Sequence, residues 1–148
     1  METLFVTPFV GVNDMKFGMP IDELKKILGK PDDLSNDSTL FWWGCQLRVF
    51  LDSNQCVDGI GFRNHGNLGF HVDILGISLF DTKAEDLIMQ LSAKSGHTYD
   101  EDFLYDYDIP ELKLHLWREY TAEELDASPS LKFFPTQGWC FEFVQILK

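Results

Sequence analysis

The chain has 148 residues, of which 45% are hydrophobic and 14% aromatic, and its formal net charge is −12. This much apolar material predicts a folded core and argues against disorder. The negative charge argues against nucleic acid or an anionic membrane surface as a partner, because both are bound through clustered Lys and Arg, and it favours a basic protein.

The first predicted helix covers residues 20–28. Pro20 fits the first helical position, where its missing N–H is not needed. Apolar residues at positions 21, 24, 27 and 28 form one face, and Gly29 followed by Pro31 ends the helix. Because nine residues make a marginal helix in isolation, we expect it to pack on a sheet.

Three strand patterns follow, at residues 40–43 (LFWW), 45–51 (CQLRVFL) and 57–62 (VDGIGF). The second alternates apolar and polar positions, and short turns join all three, which predicts an antiparallel meander. Three consecutive aromatic residues cannot share one side of a strand. We predict that Phe41 and Trp43 are buried and that Trp42 projects from an open sheet face as a binding residue. The alternative is that both faces are covered, for example by a second copy of the chain.

The glycine-rich residues 63–70 predict a boundary between two halves. A strand pattern at 71–80 precedes a helix whose apolar positions 84, 87, 88 and 91 form one face, and which ends at Gly96. Capping-box spacings occur at Thr82 with Glu85 and at Thr121 with Glu124. Further strands are predicted at residues 102–109, 112–117 and 139–147.

The two halves, 1–64 and 65–148, share one order of elements: a lead-in strand, a helix, an acidic loop and a run of strands. The register that aligns Leu24 with Leu87 also aligns Leu28 with Leu91, which predicts two tandem pseudo-repeats. The predicted fold class is α+β. Both helices would pack on one face of a curved antiparallel sheet, and the other face would meet solvent or a partner.

The stretch FGMPIDELKKILGKPDD, residues 17–33, resembles the helix of the beta-lactamase-inhibitor-protein-like repeat, which opens after a glycine and closes on G-x-P. That repeat recurs in small bacterial proteins and packs helices on a four-stranded sheet. The second half, with LGISLFDTKAEDLIMQL and YDYDIPELKLHLWRE, looks like small immunity proteins of bacterial toxin systems. These resemblances imply an α/β repeat that binds another protein, and they assign no binding residue.

An acidic tract at residues 98–111, TYDEDFLYDYDIPE, has six carboxylates and no Lys or Arg. Tyrosine anchors inside a carboxylate-rich rim are a suitable interface for a basic partner. The predicted partner-binding residues are Trp42, Tyr99, Asp100, Glu101, Asp102, Tyr105, Asp106 and Asp108. The alternative is that the tyrosines pack into the core and the acids form a solvated loop, which the alternation of Tyr and Asp also fits.

No catalytic signature is specific in this sequence. The GKPDD segment follows a helix and lacks the hydroxyl residue of a phosphate loop, and no histidine or cysteine spacing typical of a metal site occurs. Cys140 lies in a predicted core strand, where burial would raise its pKa and keep it inert. We therefore predict no enzyme, no cofactor and no metal. The alternative is an enzymatic or metal-dependent activity on the open sheet face around His71 and Asp73.

The cysteines are three in number and scattered, so they predict no disulfide framework and fit a reducing cytoplasm. No signal peptide or membrane-spanning run is recognisable. The most specific prediction is a cytoplasmic immunity-type protein, monomeric or homodimeric, that masks the active site of a basic toxin domain. A structural homodimer that buries Trp42 is a further alternative.

Overall fold

The computed structural model describes residues 2–66 and 68–148. Within these residues the strands are β1 (Glu2–Thr7), β2 (Gly11–Val12), β3 (Met15–Lys16), β4 (Thr39–Trp42), β5 (Leu47–Leu51), β6 (Val57–Arg63), β7 (Phe70–Ile74), β8 (Ile77–Ser78), β9 (Asp106–Ile109), β10 (Leu114–Trp117) and β11 (Phe143–Leu147). The helices are α1 (Ile21–Leu28), α2 (Ala84–Ser95) and α3 (Ala122–Ala127). Single 3₁₀ turns lie at Pro110–Leu112 and Pro129–Leu131. Two open sheets with helices confirm the predicted α+β class.

A six-stranded sheet contains strands from both predicted halves, in the order β4-β5-β6-β11-β10-β9. Every neighbouring pair is antiparallel. The predicted meander of β4, β5 and β6 is therefore confirmed. A second meander, β9 to β11, joins it at the centre, where β6 pairs with β11 over Gly59–Arg63 and Phe143–Leu147.

A second sheet, which the sequence analysis did not predict, has the order β3-β2-β1-β7-β8. Its central pair, β1 and β7, is parallel, and the other pairs are antiparallel. The lead-in strands of the two halves thus pair with each other instead of extending the first sheet. Both sheets, α1 and α2 contribute buried side chains to one hydrophobic core.

Helix α1 matches its prediction except at its start and on part of its face. Pro20 lies one residue before the helix with extended backbone, not at the first helical position. Leu24 is fully buried, whereas Ile27 is 45% exposed. Gly29 ends the helix with φ of 80°, and its N–H donates to the Lys25 carbonyl over 2.8 Å. Glycine adopts this conformation without steric cost.

The two predicted capping boxes lie at the N-termini of α2 and α3. The box at Thr121 forms: the Glu124 N–H donates to Thr121 Oγ1 over 3.2 Å, and the Thr121 N–H donates to Glu124 Oε1 over 3.1 Å. The box at Thr82 is wrong, because its hydroxyl instead donates to the Ser78 carbonyl over 2.6 Å, and α2 has no side-chain cap. The predicted apolar face of α2 is confirmed, since positions 84, 87, 88 and 91 are all fully buried.

Alternate side chains of the six-stranded sheet point away from the core. We call this side of the sheet the outer face. On β4, β5 and β11 the side chains of the outer face are half-buried or exposed, whereas the side chains between them point inward and are buried. The outer face includes Phe41, Arg48, Phe50, Arg63, Asp106, Asp108, His115, Trp117, Phe143 and Gln145.

The prediction that Trp42 projects from an open face is wrong. Trp42 lies opposite Leu47 on the inner side, is 2% exposed, and its indole N–H donates to the Gly29 carbonyl over 3.2 Å. Phe41 takes the outer position, and Trp43 is 41% exposed just after the strand. The Gly29 carbonyl at the end of α1 gives the indole N–H a hydrogen-bond partner, which suits Trp42 to burial. The alternative of a homodimer that buries Trp42 is therefore wrong about this residue, because Trp42 is already buried within one chain.

None of the helices in the described part of the chain combines the length and the apolar character needed to cross a bilayer.

Candidate functional site

The acidic tract lies along a free edge of the six-stranded sheet. Strand β9 is last in the sheet order and pairs with β10. Because side chains alternate along a strand, Asp106 and Asp108 point to the outer face while Tyr107 and Ile109 are buried. The side chains of Asp106 and Asp108 are 65% and 73% exposed. The YDYD pattern therefore places carboxylates at the sheet edge.

Three of the predicted binding residues line a single cavity of about 340 Å³. We call it the acidic cavity; its lining residues are His97, Thr98, Asp100, Phe103, Asp106, Tyr107 and Asp108. The loop before β9 brings Asp100 to the strand, because the Asp100 N–H donates to the Tyr107 hydroxyl over 2.9 Å. The same hydroxyl lies 3.0 Å from His97 Nε2. A buried tyrosine thus ties the loop to the edge strand.

Two histidines are in contact with carboxylates around the acidic cavity. His115, opposite Asp108 across the β9–β10 pair, has Nδ1 2.6 Å from Asp108 Oδ1 and Nε2 3.5 Å from Asp106 Oδ1. His97 Nδ1 lies 2.7 Å from Glu111 Oε2. Across residues 2–66 and 68–148, no three His, Cys, Asp or Glu side chains are grouped to hold a metal ion. The arrangement presents carboxylate oxygens that can accept hydrogen bonds from an organic cation.

Arg118 anchors the loop at residues 99–105, which precedes β9 and which we call the acidic loop. Its Nε donates to the Leu104 carbonyl over 2.7 Å, its Nη1 donates to the Gly138 carbonyl over 2.8 Å, and its Nη2 lies 3.0 Å from Glu85 Oε1. Arg118 is 2% exposed, and its guanidinium lies over the Phe103 ring at 5.5 Å. Arg118 is not among the residues predicted from the sequence, since a single Arg at the end of an alternating strand carries no local signal.

Apart from the histidine contacts, no ion pair joins the carboxylates of the tract to a Lys or Arg in the described part of the chain. Among the residues that the structure describes, the Arg118–Glu85 contact is the one ion pair between a carboxylate and Lys or Arg. Asp100, Asp106 and Asp108 therefore have no Lys or Arg partner there. Glu101 and Asp102 are exposed on the turn that precedes β9.

The tyrosines of the tract are less available than the predicted interface requires. Tyr107 is 5% exposed, and Tyr99 and Tyr105 are half-buried. The Tyr105 hydroxyl donates to Glu124 Oε1 over 2.8 Å, which raises the pKa of Tyr105. Burial raises the pKa of Tyr99. The aspartates of the tract thus lie together on the surface, whereas Trp42 lies elsewhere, in the core. The binding roles of the tract stay predictions.

His71 and Asp73 lie apart from the outer face. Both are on β7, in the second sheet, where His71 Nδ1 lies 3.0 Å from Asp81 Oδ2. The Ser78 hydroxyl donates to the same Asp81 oxygen over 2.9 Å. The alternative that placed an activity around this pair on the shared open face is wrong about its location, because β7 pairs with β1 instead.

The predictions for the cysteines are confirmed for the free thiols and the burial of Cys140, but Cys140 lies before β11 and not in a strand. All three are free thiols, with Cys45 and Cys56 half-buried and Cys140 buried. Burial, followed by the negative charges of Asp81 and Glu85, raises the pKa of Cys140 to about 12. A thiol with this pKa is protonated at neutral pH and is a poor nucleophile.

Glu142 is a buried carboxyl group, 6% exposed, whose Oε1 accepts from the Glu119 N–H over 3.4 Å. Burial raises its pKa above the ordinary value of 4.5. Because the pKa of Glu142 is raised in the folded state, the protonated carboxyl stabilises the protein below pH 4.5. This contribution is lost as the pH rises through the folded-state pKa. We therefore expect Glu142→Gln to raise the free energy of unfolding at pH 7, with the gain closing as the pH falls toward 4.5.

Urea unfolding of the wild type and Glu142→Gln across this pH range measures the difference. The matched control is Glu123→Gln, which makes the same change at an exposed position on α3. A loss of stability at neutral pH in Glu142→Gln would show that the carboxylate makes favourable contacts that outweigh its burial.

Compared with known proteins, the chain matches no family model, no curated protein and no solved structure.

Proposed function

We propose that the protein is a binding module for a basic protein, and that the acidic cavity and the adjoining edge strand receive cationic side chains of the partner. The observation that carries this proposal is the set of three carboxylates, Asp100, Asp106 and Asp108, that line one cavity without a Lys or Arg partner among the described residues. Charge-assisted hydrogen bonds from ammonium or guanidinium groups are stronger than neutral ones.

The charge of the whole molecule supports a basic partner over a second copy of the chain. Two copies, each with a net charge of −12, repel each other before they meet, whereas a basic protein is attracted. Exposed carboxylates on an edge strand also disfavour pairing with an identical edge. The free edge of β9 carries such residues at Asp106 and Asp108.

The most specific form of the proposal is an immunity-type protein that masks the active site of a basic toxin, such as a nuclease. A site that binds nucleic acid concentrates positive charge to hold phosphates. Carboxylates held on a rigid sheet edge would occupy the same cationic groups and exclude the substrate. Three free cysteines fit a reducing compartment, and we place the protein in the cytoplasm on that ground.

The test is co-expression with the product of the neighbouring gene in the host genome, followed by measurement of affinity for that purified product. We expect the protein to relieve growth inhibition by a neighbouring toxin and to form a complex with it. Neutralising the edge with Asp106→Asn and Asp108→Asn should weaken the complex at least about tenfold, as expected for loss of close charge pairs. Asparagine keeps the shape and an acceptor oxygen at each position.

The matched control is the pair Asp14→Asn and Asp33→Asn, which removes the same charge from exposed positions outside the tract. We expect the control to change affinity by less than about threefold, since distant surface charges are screened by salt. A neighbourhood without a toxin gene would contradict the immunity version. Equal losses in both double variants would contradict the role of the acidic cavity.

A further inference from the structure

A second, oppositely charged cavity lies on the outer face of the same sheet. Its lining residues are Arg48, Arg63, Trp117 and Phe143, and its volume is about 200 Å³. Strand pairing brings them together: Arg63 lies opposite Phe143, and Phe143 lies opposite Trp117. Arg48 lies opposite Gly61, so Arg63 is its diagonal neighbour on the same face. We call this the arginine cavity.

The guanidinium of Arg48 is held between two aromatic rings. Its Cζ lies 5.1 Å from the centroid of the Phe41 ring and 5.3 Å from that of Phe143. Gly61 leaves room for the Phe143 ring, because a Cβ there would lie 3.2 Å from Phe143 Cζ, a tight contact. Stacking on aromatic faces orients a planar guanidinium and reduces its freedom before any ligand arrives.

No ion pair compensates the positive charge of the arginine cavity in the described part of the chain. Neither Arg48 nor Arg63 takes part in an ion pair within residues 2–66 and 68–148. Arg48 Nε is buried without a hydrogen-bond partner there. Burial, followed by the nearby charge of Arg63, lowers the pKa of Arg48. Glu142 is close enough for its pKa to respond to Arg63, but no ion pair forms between the two.

Two half-buried guanidinium groups at one site repel each other, and a bound anion would reduce this repulsion. The chain has twice as many acidic as basic residues, 24 against 12, yet none of the described carboxylates forms an ion pair with Arg48 or Arg63. A ligand would therefore supply the negative charge that pairs with Arg48 and Arg63. Guanidinium forks match the two oxygens of a carboxylate or phosphate.

We propose that the arginine cavity binds a small organic oxyanion carried on an aromatic ring, with the oxygens between Arg48 and Arg63 and the ring against Trp117 and Phe143. Aromatic side chains favour offset or edge contacts with a second ring. The volume is below the range of about 300–1,000 Å³ that holds drug-sized ligands, which limits the ligand to a single ring. This site shares no lining residue with the acidic cavity, although Trp117 lies opposite Asp106 in the sheet, and the proposal does not depend on the proposed partner.

Titration calorimetry with phenyl phosphate and benzoate tests the proposal, with inorganic phosphate and benzyl alcohol as controls that lack the ring or the charge. We expect saturable binding of at least one aryl oxyanion at millimolar concentration and affinities about tenfold weaker for both controls, since loss of one charged hydrogen bond or ring contact costs about that much. Comparing the carboxylate with the phosphate identifies the preferred oxyanion.

Arg48→Gln and Arg63→Gln should each lower the affinity for the better aryl oxyanion about tenfold or more. Lys132→Gln removes an exposed charge elsewhere and should leave the affinity unchanged. Among the described residues, Arg63 does not stack on an aromatic ring, so its variant keeps the test valid even if Arg48→Gln fails to fold. Absence of aryl oxyanion binding, equally tight binding of inorganic phosphate or benzyl alcohol, or unchanged affinity in a folded Arg63→Gln would overturn the proposal.

Discussion

Replacing Arg118 with methionine is expected to lower the free energy of unfolding by about 3 kcal/mol, because two carbonyl groups lose a charged donor and a carboxylate loses its cation. The guanidinium now donates to the carbonyls of Leu104 and Gly138 and contacts Glu85. Methionine fills much of the same space, so the change reports the polar contacts more than a cavity. Urea unfolding measures it.

The same variant should also loosen the acidic loop. Hydrogen exchange of the amides at residues 99–105 is expected to accelerate more than exchange in α2, because Arg118 ties that loop to the rest of the chain. Lys132→Met is the control, since it removes one exposed positive charge and should change stability by no more than about 0.5 kcal/mol. Equal stability of the two variants would contradict the anchoring role of Arg118.

Replacing Trp42 with alanine is expected to lower the free energy of unfolding by about 3–5 kcal/mol, as is typical for deletion of a large buried aromatic side chain. The indole is 2% exposed and its N–H donates to the Gly29 carbonyl, so the variant leaves a cavity and loses a hydrogen bond to the end of α1. Thermal and urea unfolding followed by circular dichroism measure the loss.

Trp43→Ala is the matched control for Trp42→Ala, because it removes the same side chain from the next position. Trp43 is 41% exposed and makes an edge contact with the Phe70 ring at 5.1 Å. We expect a cost of about 1 kcal/mol or less, the range of an aromatic pair at a partly exposed site. A larger loss for Trp43→Ala than for Trp42→Ala would mean that the strand register at β4 is different.

Local periodicity was enough to predict several parts of this fold. The apolar face of α2 follows from spacing alone, because residues three and four apart share one side of a helix. The alternation in YDYD likewise places Asp106 and Asp108 on the surface and Tyr107 in the core. These features depend on neighbours within a few positions, so the sequence contains the information directly.

Features that depend on distant partners were predicted less well. Thr82 and Thr121 have the same capping-box spacing, but only Thr121 caps, because the Ser78 carbonyl takes the hydroxyl of Thr82. Trp42 and Trp43 are equivalent by composition, and the Gly29 carbonyl together with the β4–β5 register decides between them. Such choices are made by contacts that short-range patterns do not encode.

By itself, the sequence determined an acidic α+β protein with an amphipathic α2, an antiparallel meander and a carboxylate-rich strand, since composition and short-range spacing dictate each of these. The tertiary structure alone decided the second sheet, the anchoring of the acidic loop by Arg118, and the arginine cavity. That cavity joins residues 48 and 63 to residues 117 and 143. The physical reason is strand pairing, which brings residues far apart in the chain to within side-chain contact.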